Sequence, residues 1–170
     1  MTSWQARPIL MVALVSATLA CSDNNDSGSA DNFVATLGGE EEVPPVTTPA
    51  TGSATLTING DQIDYTVETT GLINPVVAHI HIEVVGENGP VRLNLCGTPD
   101  TPACTEGDGE LVTGSNGTTV GGISFDSLLS AIRTGGAYVN VHTDDGALPP
   151  NTGPGDFPGG EIRGQIEEAQ

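Results

Sequence analysis

The sequence predicts an all-β domain, an antiparallel Greek-key sandwich or barrel with one short helix, and three observations predict it. Apolar residues alternate with polar ones at a period of two from Phe33 onward. Turn chemistry recurs at short intervals, most clearly at Asn59-Gly60-Asp61, where glycine and asparagine tolerate the positive φ of a tight turn. The composition has 23 glycines and 12 prolines but only 4% aromatic residues, which suits short strands and turns better than long helices. A chain of 170 residues has room for one domain core and not for two.

Taken in order, Phe33, Ala35 and Leu37 mark the apolar face of a first strand. Leu56 with Ile58, then Ile63, Tyr65 and Val67, form the two arms of a hairpin around Asn59-Gly60-Asp61. Ala78, Ile80, Ile82 and Val84 predict a fourth strand, and Val91, Leu93 and Leu95 a fifth, with Gly86 to Pro90 as the turn between them. Leu111 and Val112 begin a short sixth. Ser124 is a helix N-cap, followed by Asp126 in the first turn and by Leu128, Leu129 and Ile132 at helical spacing before Gly135-Gly136 ends the helix. Val139 with Val141, and Ile162 with Ile166, mark two last strands. Between them runs a Gly- and Pro-rich loop from Asp144 to Gly160, long enough to be either a solvated insertion or a functional loop.

The N-terminus reads as an export signal and stands outside the fold. Arg7 supplies the positive flank, and Ile9 to Ala20 form an apolar run too short to span a membrane as a helix. Thr18-Leu19-Ala20-Cys21 resembles the lipobox of bacterial lipoproteins, in which the cysteine becomes the lipidated first residue, although Thr18 stands where leucine is usual. Ordinary cleavage after Ala20, leaving a free thiol on Cys21, is the alternative. Cys96 and Cys104 are close enough in sequence to pair as a disulfide, which leaves Cys21 over, and lipidation accounts for it. Several acyl chains would hold the protein stably where one would be marginal. The expected boundaries are a signal peptide over 1–20, a flexible tether over 21–32 and a β-domain over 33–168. Ser22 after the cysteine implies, by similarity to lipoprotein sorting, the outer membrane of a cell that has one.

Acidic residues number 22 against four arginines, with no lysine, for a net charge of −18. Such a field repels phosphate backbones and anionic headgroups, so nucleic acid is excluded as a partner and the membrane is reached through the lipid anchor only. Without lysine there is no Schiff-base chemistry, and no G-x-S-x-G turn offers a nucleophilic serine. Glu40-Glu41-Glu42 and Asp144-Asp145 read as solvated acidic loops, with calcium coordination as the sharper alternative, unsupported by EF-hand spacing.

Five ordered blocks carry a family resemblance: Glu42-Val43-Pro44-Pro45-Val46, Ala78-His79-Ile80-His81, Asn88-Gly89-Pro90-Val91, Tyr138 to Thr143, and Gly159 to Gln165. They resemble the signatures of CHRD (chordin) domains over Phe33 to about Glu167, and Leu95-Cys96 with Ala103-Cys104 looks like the cysteine hairpin of the bacterial exported members. The resemblance implies a β-rich extracellular domain with no defined reaction. Glu83 departs from it, standing where members usually have glycine.

Strand alternation places His79, His81 and Glu83 on one face, with the histidine Cα atoms ~7 Å apart. Tyr138, Asn140 and His142 share the non-core face of their strand, as do Glu161, Arg163 and Gln165 of theirs. If these strands are neighbours, one exposed polar surface results. On it His79, His81 and His142 would bind copper or zinc, ions that neutral imidazoles favour, with Glu161 or Glu83 assisting. The same H-x-H pair occurs in cupins and in copper-zinc superoxide dismutases. Hydrogen bonding to neighbouring strands, or packing against Arg163 and Glu161, is the plainer role for the histidines.

Two functions follow. The first is an anchored extracytoplasmic binding or interaction module that meets an extracellular protein or surface component, with Glu83, Asn140 and Arg163 on its binding face. The second is a copper or zinc metalloprotein, either a dismutase-like oxidoreductase or a metal-holding protein.

Overall fold

A computed structural model describes Met1 and residues 31–170. Apart from Met1, the expected export signal lies outside the described residues, as do Cys21 and most of the expected tether. The strands are β1 (Asn32–Gly38), β2 (Thr51–Asn59), β3 (Gln62–Thr70), β4 (Pro75–Ile82), β5 (Val91–Cys96), β6 (Gly109–Asn116), β7 (Ala137–Thr143), β8 (Ile162–Gln165) and the two-residue β9 (Glu167–Glu168). The helix α1 spans Phe125–Arg133, and a single 3-10 turn follows β1. Among the described residues no helix is long and apolar enough to cross a membrane.

All pairings between these strands are antiparallel, in the order β5-β4-β7-β8-β1-β2-β3-β6, with β9 beside β1. The connections from β3 to β4 and from β6 to β7 join strands that are not neighbours in this order, which is the expected Greek-key pattern. The sheet curls until its two edges meet. An isolated bridge links Leu93 to Thr119, Val120 N–H donates to the Arg92 carbonyl at 2.9 Å, and the Asn116 amide donates to the Asn94 carbonyl at 2.9 Å. The result is a nearly closed barrel, which leaves little edge unpaired.

The period-two residues fill its interior: Ala35, Leu56, Ile63, Val67, Ile80, Leu93, Val139 and Ile162 are all buried. The hairpin forms as its sequence demands, with Asn59 opposite Gln62 and Gly60 at φ +64°. Val84, expected to end the fourth strand, falls beyond β4 and is exposed. Tyr65 is the one phenol inside the barrel, and its hydroxyl donates to the Leu95 carbonyl at 2.8 Å, which removes the cost of burying it.

The helix starts where the sequence places it. Ser124 Oγ accepts the Ser127 N–H, Asp126 and Arg133 complement the macrodipole at opposite ends, and Gly136 and Gly135 close a Schellman motif onto the carbonyls of Ala131 and Ile132. Leu128, Leu129 and Ile132 join the barrel core. Cys96 and Cys104 form the expected disulfide, with Cα atoms 5.1 Å apart. The loop it closes is short, so it constrains little of the unfolded chain and contributes at the low end of about 2–4 kcal/mol.

Among the described residues, contacts with the domain reach two residues ahead of the expected boundary at 33. Asp31 accepts from Arg133 Nε at 2.6 Å and pairs with its guanidinium, which ties the start of β1 to the end of α1.

Candidate metal centre

The three strands that carry the polar faces are neighbours: β4 pairs with β7, and β7 with β8. Register sets His79 opposite Asn140, His81 opposite Tyr138, and Asn140 opposite Arg163. His142 lies across from Val77, one step further along β7. The surface expected from alternation therefore exists, but most of it is buried, with His79, Glu83 and Gln165 partly exposed at its margins. Every residue of β7 is buried on both faces, because the loops after β1, β4 and β7 fold over the outside of the sheet.

Specific bonds hold that cover in place. The β4–β5 loop is anchored by Arg163, whose guanidinium donates to the Glu87 carbonyl at 2.8 Å and to Asn88 Oδ1 at 3.1 Å. Asn88 in turn donates to the Val43 carbonyl at 2.7 Å. The loop after β7 is anchored by Glu161. Its carboxylate accepts from Thr48 Oγ1 at 2.5 Å, Thr143 Oγ1 at 2.6 Å and the Gly155 N–H at 2.8 Å. Glu161 thus joins three segments, and Glu83 caps its own neighbour's N–H at Val84; neither belongs to the cluster of ligating atoms described next.

His79, His81 and His142 converge. Their ring centroids are separated by 5.2 Å (His79 to His142), 5.7 Å (His79 to His81) and 6.0 Å (His81 to His142), and one ligating nitrogen from each lies within 4.8 Å of the others. His81 is stacked on Tyr138 at 4.9 Å. His81 Nδ1 and His142 Nδ1 each lie 2.9 Å from a main-chain carbonyl, of Gly89 and of Pro158. A carbonyl only accepts, so each Nδ1 carries the proton and each Nε2 keeps a free lone pair in the neutral ring. Those two Nε2 atoms and His79 Nδ1 are buried without a hydrogen-bond partner among the described residues.

Burial holds all three imidazoles toward the neutral form. His79 is pushed down to about 4 by desolvation and then by the neighbouring His142 and His81. His81 and His142 are lowered by desolvation, which outweighs the opposing pull of their carbonyl partners. Three neutral rings, two of them fixed in tautomer and each with one buried unpaired nitrogen, make a donor set suited to a transition metal.

All five sequence blocks meet here: the first brings Glu42, the second His79 and His81, the third Asn88 and Gly89, the fourth Tyr138, Asn140 and His142, the fifth Glu161 and Arg163. Residues 33–166 match the family model of the CHRD domain. The chain belongs to the CHRD domain family. Family membership supports a binding or interaction module at most. No curated protein matches the chain significantly.

Within this CHRD domain one acidic residue behaves differently from its sequence neighbours. Glu42, expected in a solvated acidic loop, is only 5% exposed, because the turn after β1 folds it under the cover. Its amide partner Asn140 is 3.4 Å away, and both side chains crowd Gly160, where a Cβ would come within 2.6 Å of each and where φ of +129° favours glycine. Desolvation raises the Glu42 carboxyl to about 7, against the lowering influence of Arg163 and Asn140. Nothing in the sequence separates Glu42 from Glu40 and Glu41 except its place in the first motif block. A carboxyl raised above its unfolded value stabilises the fold fully below about 4.5, and that contribution is lost as pH rises through about 7. In denaturant titrations Glu42→Gln should gain on the wild type between pH 5 and 8, by a limit on the order of 3 kcal/mol. Parallel pH profiles for the two proteins would contradict this.

The expected interaction face fares differently from the metal ligands. Asn140 and Arg163 are 3% and 2% exposed and so offer no surface to a protein partner. Of that set only Glu83 reaches solvent.

Proposed function

We propose that this CHRD domain is a binding module whose ligand is one copper or zinc ion, held by His79, His81 and His142 and displayed outside the cytoplasm on a lipid-modified Cys21. The observation that carries the metal reading is the set of three buried ring nitrogens, one per histidine, that have no hydrogen-bond partner among the described residues and belong to a cluster whose ligating atoms lie inside 4.8 Å. Histidines kept only for structure would spend both nitrogens on protein groups, since an unpaired buried nitrogen costs about 1–3 kcal/mol. Ligands of a single zinc or copper ion sit about 2.0–2.1 Å from it, so the rings need only small side-chain rotations to close. The strongly negative chain also attracts cations. The reading assigns a metal and no reaction, and favours a metal-holding protein over an oxidoreductase.

The location rests on the apolar run 9–20 before Cys21, and on that cysteine being left over by the Cys96–Cys104 disulfide. Mass spectrometry of protein purified from its own cells should show an acylated Cys21 as the first residue; an unmodified thiol there would end the anchoring idea. For the metal, calorimetric titration of the apo protein with zinc or copper should give one site per chain, and His79→Ala should abolish it. Apo protein that takes up neither ion, or a His79→Ala variant that binds as well as the wild type, would refute the assignment.

A further inference from the structure

We infer a second, chemically distinct cation site in the loop after β7, where Asp144, Asp145 and Asp156 bind one hard divalent ion of the calcium class. One carboxylate oxygen from each residue lies within 4.8 Å of the others. Acidic clusters on a surface are common, and two of these three residues are exposed. The independent observation is Asp156, which is 2% exposed. Its Oδ2 accepts from the Thr152 N–H at 2.9 Å and from Thr152 Oγ1 at 2.8 Å, whereas its Oδ1 is buried with no partner among the described residues. A buried carboxylate oxygen without a donor is costly, and two further carboxylates beside it raise the cost unless a cation sits among them.

The donor chemistry selects the ion. All three ligands are carboxylate oxygens, which suit hard cations and not the copper or zinc assigned to the histidines. Asp144 and Asp145 each use Oδ1 to accept the N–H two residues on, at 2.7 and 2.8 Å, and keep Oδ2 for a metal. Calcium accepts irregular oxygen sets completed by water, whereas magnesium demands near-ideal octahedral geometry, so calcium is the better match.

The site's place in the loop gives it a mechanical role. Asp144 and Asp145 begin the outgoing arm immediately after β7, and Asp156 lies on the returning arm. Asn74 already touches both arms, accepting the Asp144 N–H at 3.1 Å and donating to the Gly155 carbonyl at 3.2 Å. A cation bridging the aspartates would staple the arms together and fix the segment that delivers Pro158 to His142.

Titrating the full apo protein with calcium chloride at fixed ionic strength should show one saturable site, with a Kd of about 10⁻⁴ to 10⁻³ M, the range of extracellular calcium modules. Asp156→Asn should abolish it. Because that buried change can unfold the loop, Asp145→Asn, at an exposed position, is the deciding variant and should weaken binding about tenfold or more. Glu41→Gln, which removes an equal charge elsewhere, should leave the affinity unchanged, and so should His79→Ala, which separates this site from the histidine centre. Absence of saturable binding up to about 10 mM calcium, or equal affinity in wild type and Asp145→Asn, would overturn the inference.

Discussion

Arg163→Met should lower the free energy of unfolding by about 3–5 kcal/mol, one of the largest losses available to a single substitution in this fold. Arg163 is 2% exposed and holds the β4–β5 loop at two points and a ring at once. It bonds the Glu87 carbonyl and Asn88 Oδ1, and its guanidinium lies 3.7 Å from the Tyr138 ring centroid. It is also the cation that restrains the upward shift of Glu42. Methionine fills much of the same volume, so the loss measures the removed charge and hydrogen bonds more than a cavity. Adding Glu42→Gln to Arg163→Met should recover part of it, since the second change removes the carboxylate left without its counter-charge. Urea titrations read both effects as midpoint shifts at constant m. A loss below about 1 kcal/mol, or strict additivity of the two changes, would mean that the pair is hydrated and the cover over β7 is loose.

The fold was legible because its signals are local. Alternation from Phe33 to Leu37, the Asn59-Gly60 turn and the Ser124 cap each act through backbone geometry within a few residues, and each places its element within a residue or two. The shared face of His79 and His81 was legible for the same reason. What the sequence concealed is the third dimension of that face. Alternation assigns Tyr138, Asn140 and His142 to the side away from the core, and periodicity has no means of showing that loops from three distant parts of the chain will bury it. The pairs that hold the cover, Arg163 with Asn88 and Glu161 with Thr48, are 75 and 113 residues apart in sequence. Glu42 was misread by the same limit, because a glutamate in an acidic run looks solvated until its burial is seen. The ring nitrogens' partners were invisible for another reason: the Gly89 and Pro158 carbonyls are main-chain groups, which any residue could supply.

Burial of the histidines fixes how metal and acid should act together. Zinc at a free concentration of 1,000 times its Kd should raise the unfolding free energy by about 4 kcal/mol, which is a shift on the order of 10 °C in Tm for a domain of this size. In the apo protein the sign of the pH effect follows from the depressed imidazoles. Between the unfolded value of 6.5 and the folded value of about 4 for His79, the unfolded chain binds more protons. The His79 contribution is therefore complete above pH 6.5 and lost as pH falls toward 4, and the lowered His81 and His142 act in the same direction. Metal competes with protons at the folded values, not the unfolded ones, so zinc stabilisation should persist at pH 5.5, where exposed imidazoles are mostly protonated. His79→Ala is the informative variant. His79 is only partly buried and its Nδ1 has no hydrogen-bond partner among the described residues, so removing it sacrifices ligation with little structure. His81, although on the non-core face, is 7% exposed, bonded to Gly89 and stacked on Tyr138, so replacing it mixes lost metal with lost packing. Unfolding curves with and without zinc at pH 7.5 and 5.5 should show the metal increment at both values in wild type and at neither in His79→Ala. An increment already halved near pH 6.5 would show that the imidazoles titrate as hydrated groups, and a centre buried beneath the three loops would then be untenable.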